Sequence, residues 1–419
     1  MPRFTRALRH RNYRLFFSGQ LISLIGTWMQ TVAESWLVYR LTGSAALLGV
    51  AGFASQIPVF LLATIGGTVA DRYNRHRIMI ITQTTAMMLP LILAALVFTG
   101  RVQVWHVFTL AATLGVVNAF DVPTRQSFVV EMVGREDLIN AIALNSSIFN
   151  GARTIGPAVA GLLLAAVGEG WCFLLNGLSY VAVITGLLLM KLPARQKKVH
   201  THAALAETIE GFRFVLRTTP VRDLLLMVGL VSFAGMPYAV LMPIFADSIL
   251  HGGPKGLGLL MASAGLGSLC GALYLASRSS IRGLGRIVAA SALMFGVALM
   301  LFALSRVFWL SAALLLVVGM SMITQAASTN TLIQSMVPDS LRGRVMAVYA
   351  MMLMGMSPMG ALVEGALADR IGAPYTVVIG GSICVAGAIV FNLRLPALRV
   401  LARQLIDAQK PATTEAPVT

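Results

Sequence analysis

Gly67-Thr-Val-Ala-Asp71-Arg72-Tyr-Asn-Arg75-His-Arg77 packs four formal charges into residues 67–77 of a chain that is only 11% charged. Long apolar stretches lie on both sides. With 57% hydrophobic residues and a mean hydropathy of +0.80, the 419-residue chain has too little polar surface to coat a soluble globule. The cluster therefore reads as a short aqueous loop between two membrane crossings. A crossing helix takes about 20 mostly apolar residues, because each backbone amide in hydrocarbon must be bonded within its own segment.

Working outward from the loop, the sequence predicts twelve such segments. They lie near 14–39, 46–70, 78–99, 105–127, 141–167, 171–190, 221–249, 257–277, 286–304, 307–334, 345–367 and 374–393. The first is too long for a signal peptide and lacks a small-residue cleavage pattern. The fold class is all-α integral membrane.

The net charge of +16 is a matter of topology. With the N-terminus cytosolic, 26 of the 32 Lys and Arg fall on the cytosolic side. Arg40, Arg101, Lys255, Arg306 and Arg370 fall opposite, and Arg153 lies alone inside an apolar segment. The positive-inside rule then puts both termini in the cytosol. No basic stretch has the stacking aromatics or helical presentation of a nucleic-acid site, so nucleic acid is not an expected partner. Cys172, Cys270 and Cys384 all fall in apolar spans, with neither metal-site spacing nor an aqueous loop for a disulfide. No metal or cofactor is expected.

The polar interval 191–220 divides the chain into a first bundle, 1–190, and a second, 221–395, followed by a tail, 396–419, read as disordered. Sliding one half over the other by 204 residues aligns Gly67 with Gly271, Met132-Val133 with Met336-Val337, and Gly151, Gly156, Gly161, Gly168 and Gly177 with Gly355, Gly360, Gly365, Gly372 and Gly381. That register points to a duplicated six-helix unit. Parallel repeats of this kind hold substrate between the halves near mid-bilayer. The glycines of span five serve either close helix packing or a special conformational role.

The loop Gly67-x-x-x-Asp71-Arg72-x-x-Arg75-x-Arg77 resembles the signature between spans two and three of the major facilitator superfamily. The twelve-span, two-repeat layout is similar throughout. Gly151-Ala-Arg-Thr-Ile-Gly156-Pro157-Ala-Val-Ala-Gly161 resembles the Gly-Pro motif of its drug:proton antiporters, which implies export. Gly26-Thr-Trp-Met-Gln30, Asn118-Ala-Phe-Asp121-Val-Pro123-Thr-Arg125-Gln126, Asn140-Ala-Ile-Ala-Leu-Asn145 and Asn150-x-x-Arg153-x-x-Gly156-Pro157 look like the branch of enterobactin exporters, macrolide efflux pumps and transmembrane secretion effectors. These matches cover about residues 10–190. The superfamily's usual arginine motif near the start of span four is not evident after Trp105, so Arg125 or Arg153 stands in for any coupling through arginine.

In physical terms, Gly67 is expected to let helix two pack tightly where it emerges, and Asp71 to accept hydrogen bonds from a helix N-terminus across the half-interface. Arg75 and Arg77 are expected to meet Glu136 or Asp137 at the start of span five. Together with Arg72 they make a breakable latch; the plainer alternative is a topogenic loop with a capping aspartate.

A charge at mid-bilayer costs at least ~2.5 kcal/mol on insertion scales, so each one calls for a partner or a purpose. Four stand out: Glu34, Asp121, Arg153 and Glu364. Arg153 lies roughly 18 Å along its span at about 1.5 Å per residue, and Asp121 is its candidate partner. Glu34 and Glu364 sit toward the outer face, where a partly desolvated carboxylate can take up and release a proton as its exposure changes. Asp247 and Asp369 read as loop-edge charges. Asn145, Asn150, Asn176, Gln325, Asn330 and Gln334 supply neutral hydrogen-bonding groups. The methionines of 351–359 either adapt to apolar cargo or fill space between helices.

Metal-ligand spacing, a nucleophile elbow and a phosphate-cradling loop are all lacking, which argues against an enzyme. The expectation is a monomeric exporter in the bacterial inner membrane that moves a small amphipathic molecule out in exchange for protons. Siderophore or metabolite export, and lysolipid flipping, are the variants; a channel or structural protein is the alternative outside transport.

Overall fold

The computed structural model describes residues 3–191, 204–278 and 280–407, and every regular element among them is helical. The first six long helices are α1 (Arg11–Thr42), α2 (Ala45–Arg72), α3 (Arg75–Phe98), α4 (Val104–Val133), α5 (Leu138–Val167) and α6 (Glu169–Leu188). A short α7 (Ala204–Arg217) follows, then α8 (Thr219–Ala234), a single turn α9 (Met242–Ile244), α10 (Gly253–Ala276), α11 (Leu284–Leu304) and α12 (Phe308–Met336). The chain closes with α13 (Asp339–Ala350), α14 (Met356–Ile371) and α15 (Ala373–Asp407).

Local chemistry sets the boundaries. Helix α1 stops at Gly43, whose φ of 62° lies in the left-handed region. One residue later the Ser44 side chain accepts from Leu47 N and starts α2. The charged loop is shorter than the sequence implied: α2 runs through Arg72, and Asn74 caps α3 by accepting from Arg77 N at 3.2 Å.

Among the described residues, eleven helical segments are long and apolar enough to cross a membrane. Helix α1 is not among them. Its 32 residues suffice in length, but Gln20, Ser23, Thr27, Gln30, Thr31, Glu34 and Ser35 dilute its apolar character, and it buries Gln20, Ser23 and Gln30 against neighbours.

Three expectations change in detail. The predicted span 221–249 is not one helix: Pro237 and Pro243 withdraw backbone donors, and the chain passes through a 3-10 turn, Met236–Ala239, and a π turn, Phe245–Ile249. Span 345–367 is likewise α13 and α14 joined by a π turn, Met351–Gly355. The tail expected to be disordered from 396 is helical to Asp407, since Leu395 and Leu398 are buried and extend the apolar face of α15. Residues 408–419, and 192–203 of the connector with His200 and His202, lie outside the described residues. The rest of the connector carries α7, held on α13 by Arg344 Nη1 donating to Glu210 Oε2 at 2.6 Å.

Packing pairs α2 with α4, α1 with α5 and α6, and α3 with α6. It also pairs α10 with α12, α11 with α12 and α15, and α8 with α15. The helices before and after the connector meet chiefly through α5 against α10 and α2 against α14. Several of these crossings are so close that backbone touches backbone, as small residues permit.

At the emergence of α2 the tight residue is Gly66, not Gly67 as expected. A Cβ on Gly66 would lie 1.9 Å from Ala119 O, whereas one on Gly67 would meet nothing within 4 Å. The two residues are 100° apart on the helix, so only one can face α4. We expect Gly66→Ala to lower stability by about 1–3 kcal/mol through overpacking and Gly67→Ala to be neutral or slightly stabilising, read as thermal unfolding of the purified protein in detergent. Equal effects would refute the assignment.

Candidate transport site

At one end of the bundle the interface helices are in contact. A Cβ on Gly49 would lie 2.4 Å from Ala361 O, and one on Gly161 would lie 2.9 Å from Gly258 Cα. Asp369 spans the gap here: its Oδ2 accepts from Ser44 Oγ at 2.8 Å and its Oδ1 from Ala45 N at 2.7 Å. Its negative charge thus caps the N-terminus of α2 from across the interface. Tyr39 Oη donates to Asp247 at 3.2 Å and lies 2.6 Å from Ser248 Oγ. Asp369 and Asp247 are therefore closure contacts rather than the loop-edge charges expected. A single-sequence reading has no signal for this, because the partners are more than 200 residues away.

Contact continues to a middle level and then stops. The Phe60 ring meets Gly355, and the backbone at Arg153 meets Gly265, whose Cβ would lie 2.6 Å from Arg153 O. That carbonyl is the one left without its helical donor by Pro157, four residues on. Beyond this level Gly67 and Gly151 face open space, and Leu61, Ile65, Ile142 and Phe149 of the interface helices are exposed. The helices part toward the end that carries Asp71.

Arg153 sits where the parting begins. Its guanidinium lies 5.6 Å from the Trp28 ring centroid, and Trp28 in turn meets Phe149 edge-on at 5.6 Å. Among the described residues no carboxylate lies within 4 Å of that guanidinium. The expected pair with Asp121 does not form. Asp121 is buried inside the first six helices, where it accepts from Thr82 Oγ1 at 2.9 Å and Gln83 Nε2 at 2.8 Å and lies 3.5 Å from Arg125 Nε, one turn away on its own helix. Arg125 also donates to Gln20 at 3.0 Å. A cation–π contact stabilises by roughly 0.5–2 kcal/mol, less than the insertion cost of at least ~2.5 kcal/mol, so water or an anion must supply the rest. Trp28 stood in a motif of the sequence but carried no assigned role.

Glu34 is half-buried on α1 and is hydrogen-bonded by Gln30, whose Oε1 accepts from Asn176 Nδ2. The chain Asn176–Gln30–Glu34 links α6 to the carboxylate. Glu364 does not line the open cavity. Gly360, one turn before it, faces Phe233 O of α8, whereas Ala361 and Gly365 face α2, so helical periodicity turns Glu364 under α15, against Gly380. It is buried, and neither carboxylate oxygen has a hydrogen-bond partner among the described residues. Asn145 Oδ1 accepts from Tyr13 Oη at 3.0 Å, while Asn150 Nδ2 donates to Ser146 O of its own helix at 2.8 Å.

The latch residues are also distributed differently. Arg75 donates to Ala70 O at 3.0 Å, Ser127 O at 3.3 Å, Glu131 Oε1 at 2.9 Å and Asp71 Oδ1 at 3.1 Å, tying the ends of α2 and α4 to the start of α3. The Asp71 side chain is 63% exposed, and Arg72 and Arg77 are exposed. Neither Arg75 nor Arg77 reaches Asp137. That carboxylate is taken by the N-terminal segment: Arg9 at 2.8 Å, His10 at 2.8 Å and Arg6 at 3.5 Å. A polar segment seven residues long just before α1 was closer to hand than a loop on α3.

A membrane-embedded helical bundle, closed at one end, open at the other, with an arginine where it parts and a glutamate nearer the closed end, defines a transporter of the major facilitator type. The profile of the transmembrane secretion effectors matches residues 5–416, and the chain belongs to that family. It is 26% identical over 381 residues to the staphyloferrin A transporter of Staphylococcus aureus, covering 89% of this chain and 94% of the relative. It is 26% identical to the enterobactin exporter EntS of Shigella boydii, over 92% of this chain and 91% of the relative. It is 27% identical to the multidrug efflux pump Tap of Mycolicibacterium fortuitum, over 86% and 90% respectively. The fold is similar to the nucleoside transporter NupG, with a TM-score of 0.70 at 14% identity over 94% of this chain and 99% of that one. A bacterial homologue of the lysosomal transporter Spinster, inward-facing and unoccupied, superposes at 0.66 and 14% identity, covering 99% of this chain and 100% of that one.

Hydrogen bonding from His10, with the charges of Arg9 and Arg6, holds the Asp137 carboxyl below its usual range. A depressed folded value means that the docking it supports is complete at neutral pH and is lost as pH falls through that value. Hydrogen exchange of residues 3–10 should therefore stay slow from pH 7 down through the ordinary carboxylate range near 4 and quicken only below it. In Asp137→Asn it should be fast at both.

Proposed function

We propose that the chain is a twelve-helix exporter in which two six-helix bundles, 1–190 and 221–395, rock about the interface formed by α2, α5, α10 and α14. The observation that carries this reading is the one-sided closure around Arg153 and Glu34. Alternating access needs an interface that is shut at one face and open at the other, with the site between them. Helix α1 counts as the twelfth crossing: 32 residues at about 1.5 Å each exceed the ~30 Å hydrocarbon core. The 204-residue register supports the duplication. Gly156 packs on α1 at Met29 and its counterpart Gly360 on α8 at Phe233; Gly177 packs on α3 at Leu91 and Gly381 on α11 at Met300.

Under the positive-inside rule both termini, and with them the open end, face the cytosol of the bacterial inner membrane. The molecule then stands ready to load cargo from inside, as a monomer. Protons drive export through Glu34, which is held by Gln30 on α1 in this state and changes its exposure when the outer end opens. The loop that carries Asp71, Arg72, Arg75 and Arg77 ties α2 and α4 to α3 in this state, and it acts as the latch when the cytosolic end closes. Siderophore export is the second reading, supported by the printed functions of the relatives from Staphylococcus aureus and Shigella boydii.

Saturable counterflow in liposomes, with no unitary currents, is the test that separates this carrier from a channel. Glu34→Gln should keep downhill exchange but lose uphill export driven by a pH gradient; if uphill export persists, coupling lies elsewhere. Asp71→Asn should lower the initial rate about tenfold at equal expression, as expected when one state of a two-state cycle loses about 1.4 kcal/mol. An unaltered rate leaves the loop with a purely topogenic role.

A further inference from the structure

We propose that Arg153 and Trp28 form the substrate's anchoring site and that it selects an organic anion: a flat, apolar or aromatic body bearing a carboxylate or an acidic phenol. This rests on the exporter reading and goes on to name its cargo.

The guanidinium is a planar fork whose donors match two carboxylate oxygens, and it stays charged at any working pH. Every other arginine or carboxylate buried among the first six helices has a partner of its own: Asp121 has Thr82, Gln83 and Arg125, Asp137 has Arg6, Arg9 and His10, and Glu169 has Arg40. Among the described residues Arg153 has no acidic partner within 4 Å, and its guanidinium lies over the face of Trp28, 5.6 Å away. The indole holds one side of the fork and leaves its donor edge for a ligand. Phe149, edge-on to Trp28 and 45% exposed, continues an aromatic wall toward the open end. Tyr238 approaches the same guanidinium from the helices after the connector.

The placement suits a carried ligand. Arg153 lies at the level where α5 still touches α10 through Gly265, so a molecule pushed to the end of the cavity meets this residue last. A bound amphipath encloses the fork, and a low-dielectric site then favours an anion and disfavours an ammonium. Pro157 fixes the arrangement by freeing the Arg153 carbonyl for close approach by Gly265 while the side chain turns the other way, toward Trp28. A cationic amphipath finds no carboxylate within 4 Å of this point among the described residues.

The test is equilibrium binding to the purified protein in nanodiscs, using three probes of one shape: 2-naphthoate, 2-naphthamide and 2-naphthylmethylammonium. The wild type should bind naphthoate at least about tenfold tighter than the amide, with the ammonium weakest. In Arg153→Gln naphthoate should fall to the affinity of the amide, which itself changes less than about twofold. Arg153→Lys should keep part of the preference, because a point charge replaces the fork. Trp28→Ala should weaken all three. Thermal unfolding of each variant separates lost binding from lost folding, and the lysine variant carries the result if the glutamine variant is unstable. Naphthoate binding that is undetectable at millimolar concentration, or no tighter than that of the amide, overturns the proposal. So does an Arg153→Gln variant that weakens all three probes equally. Counterflow of the same probes in liposomes distinguishes the two levels. Exchange of the amide or the ammonium without anion preference sinks the anion site and leaves the exporter; selective naphthoate binding without exchange of any probe sinks the exporter and leaves the site.

Discussion

The bundle is held by backbone meeting backbone across α2 with α14 and α5 with α10. In hydrocarbon no hydrophobic force drives one helix against another, so association depends on van der Waals contact and the few polar bonds available. Gly49, Gly161, Gly258 and Gly365 let the helix axes approach until carbonyls and Cα atoms touch. Such contacts are strong only at full closure, since dispersion falls away within an ångström or so of separation. An interface built this way is either shut or open. Its polar complement, Asp369 on Ser44 and Ala45 with Tyr39 on Asp247, lies at the same end and is lost with it.

That constraint explains the distribution of charge. The carboxylates and arginines paired within the first six helices, such as Asp121 with Arg125 and Arg75 with Asp71 and Glu131, have their partners inside that set of helices and not across the interface. They stiffen the packing of those helices. Arg153 at the parting level and Glu34 nearer the closed end are different: Arg153 has an aromatic face for company, and Glu34 an amide. Groups whose surroundings change as the interface opens and closes are the ones able to couple that motion to a ligand or a proton.

Much of this was legible from residues 67–77 outward. The charge-poor composition, the apolar lengths and the basic loops follow from the solvent, because a bilayer imposes the same demand on every crossing segment. Helices α2 to α6 and α10 to α12 therefore lie close to their predicted spans. The 204-residue register matches packing at Gly156 and Gly360, Gly161 and Gly365, and Gly177 and Gly381, but not at Gly67 and Gly151, which face open space while Gly271 and Gly355 are packed. The misses share a cause. Gly67 was chosen over Gly66, Asp121 over Trp28 as partner of Arg153, and the Arg75 loop over the N-terminal segment as partner of Asp137, because each choice depends on helix rotation and on contacts between distant residues.

The sequence by itself determined that this chain is a multi-pass helical membrane protein of a transport family, and it marked Arg153 as a charge needing explanation. Hydropathy, charge placement and repeat spacing are one-dimensional quantities, and the bilayer converts them directly into crossing segments. Only the tertiary structure decided which residues face one another: that Asp369 caps α2, that Glu364 lies under α15 rather than on the cavity wall, and that Arg153 rests on Trp28 with no acid within 4 Å among the described residues. A rotation of 100° per residue moves a side chain from one neighbour to another without changing hydropathy, so facing is settled by packing alone.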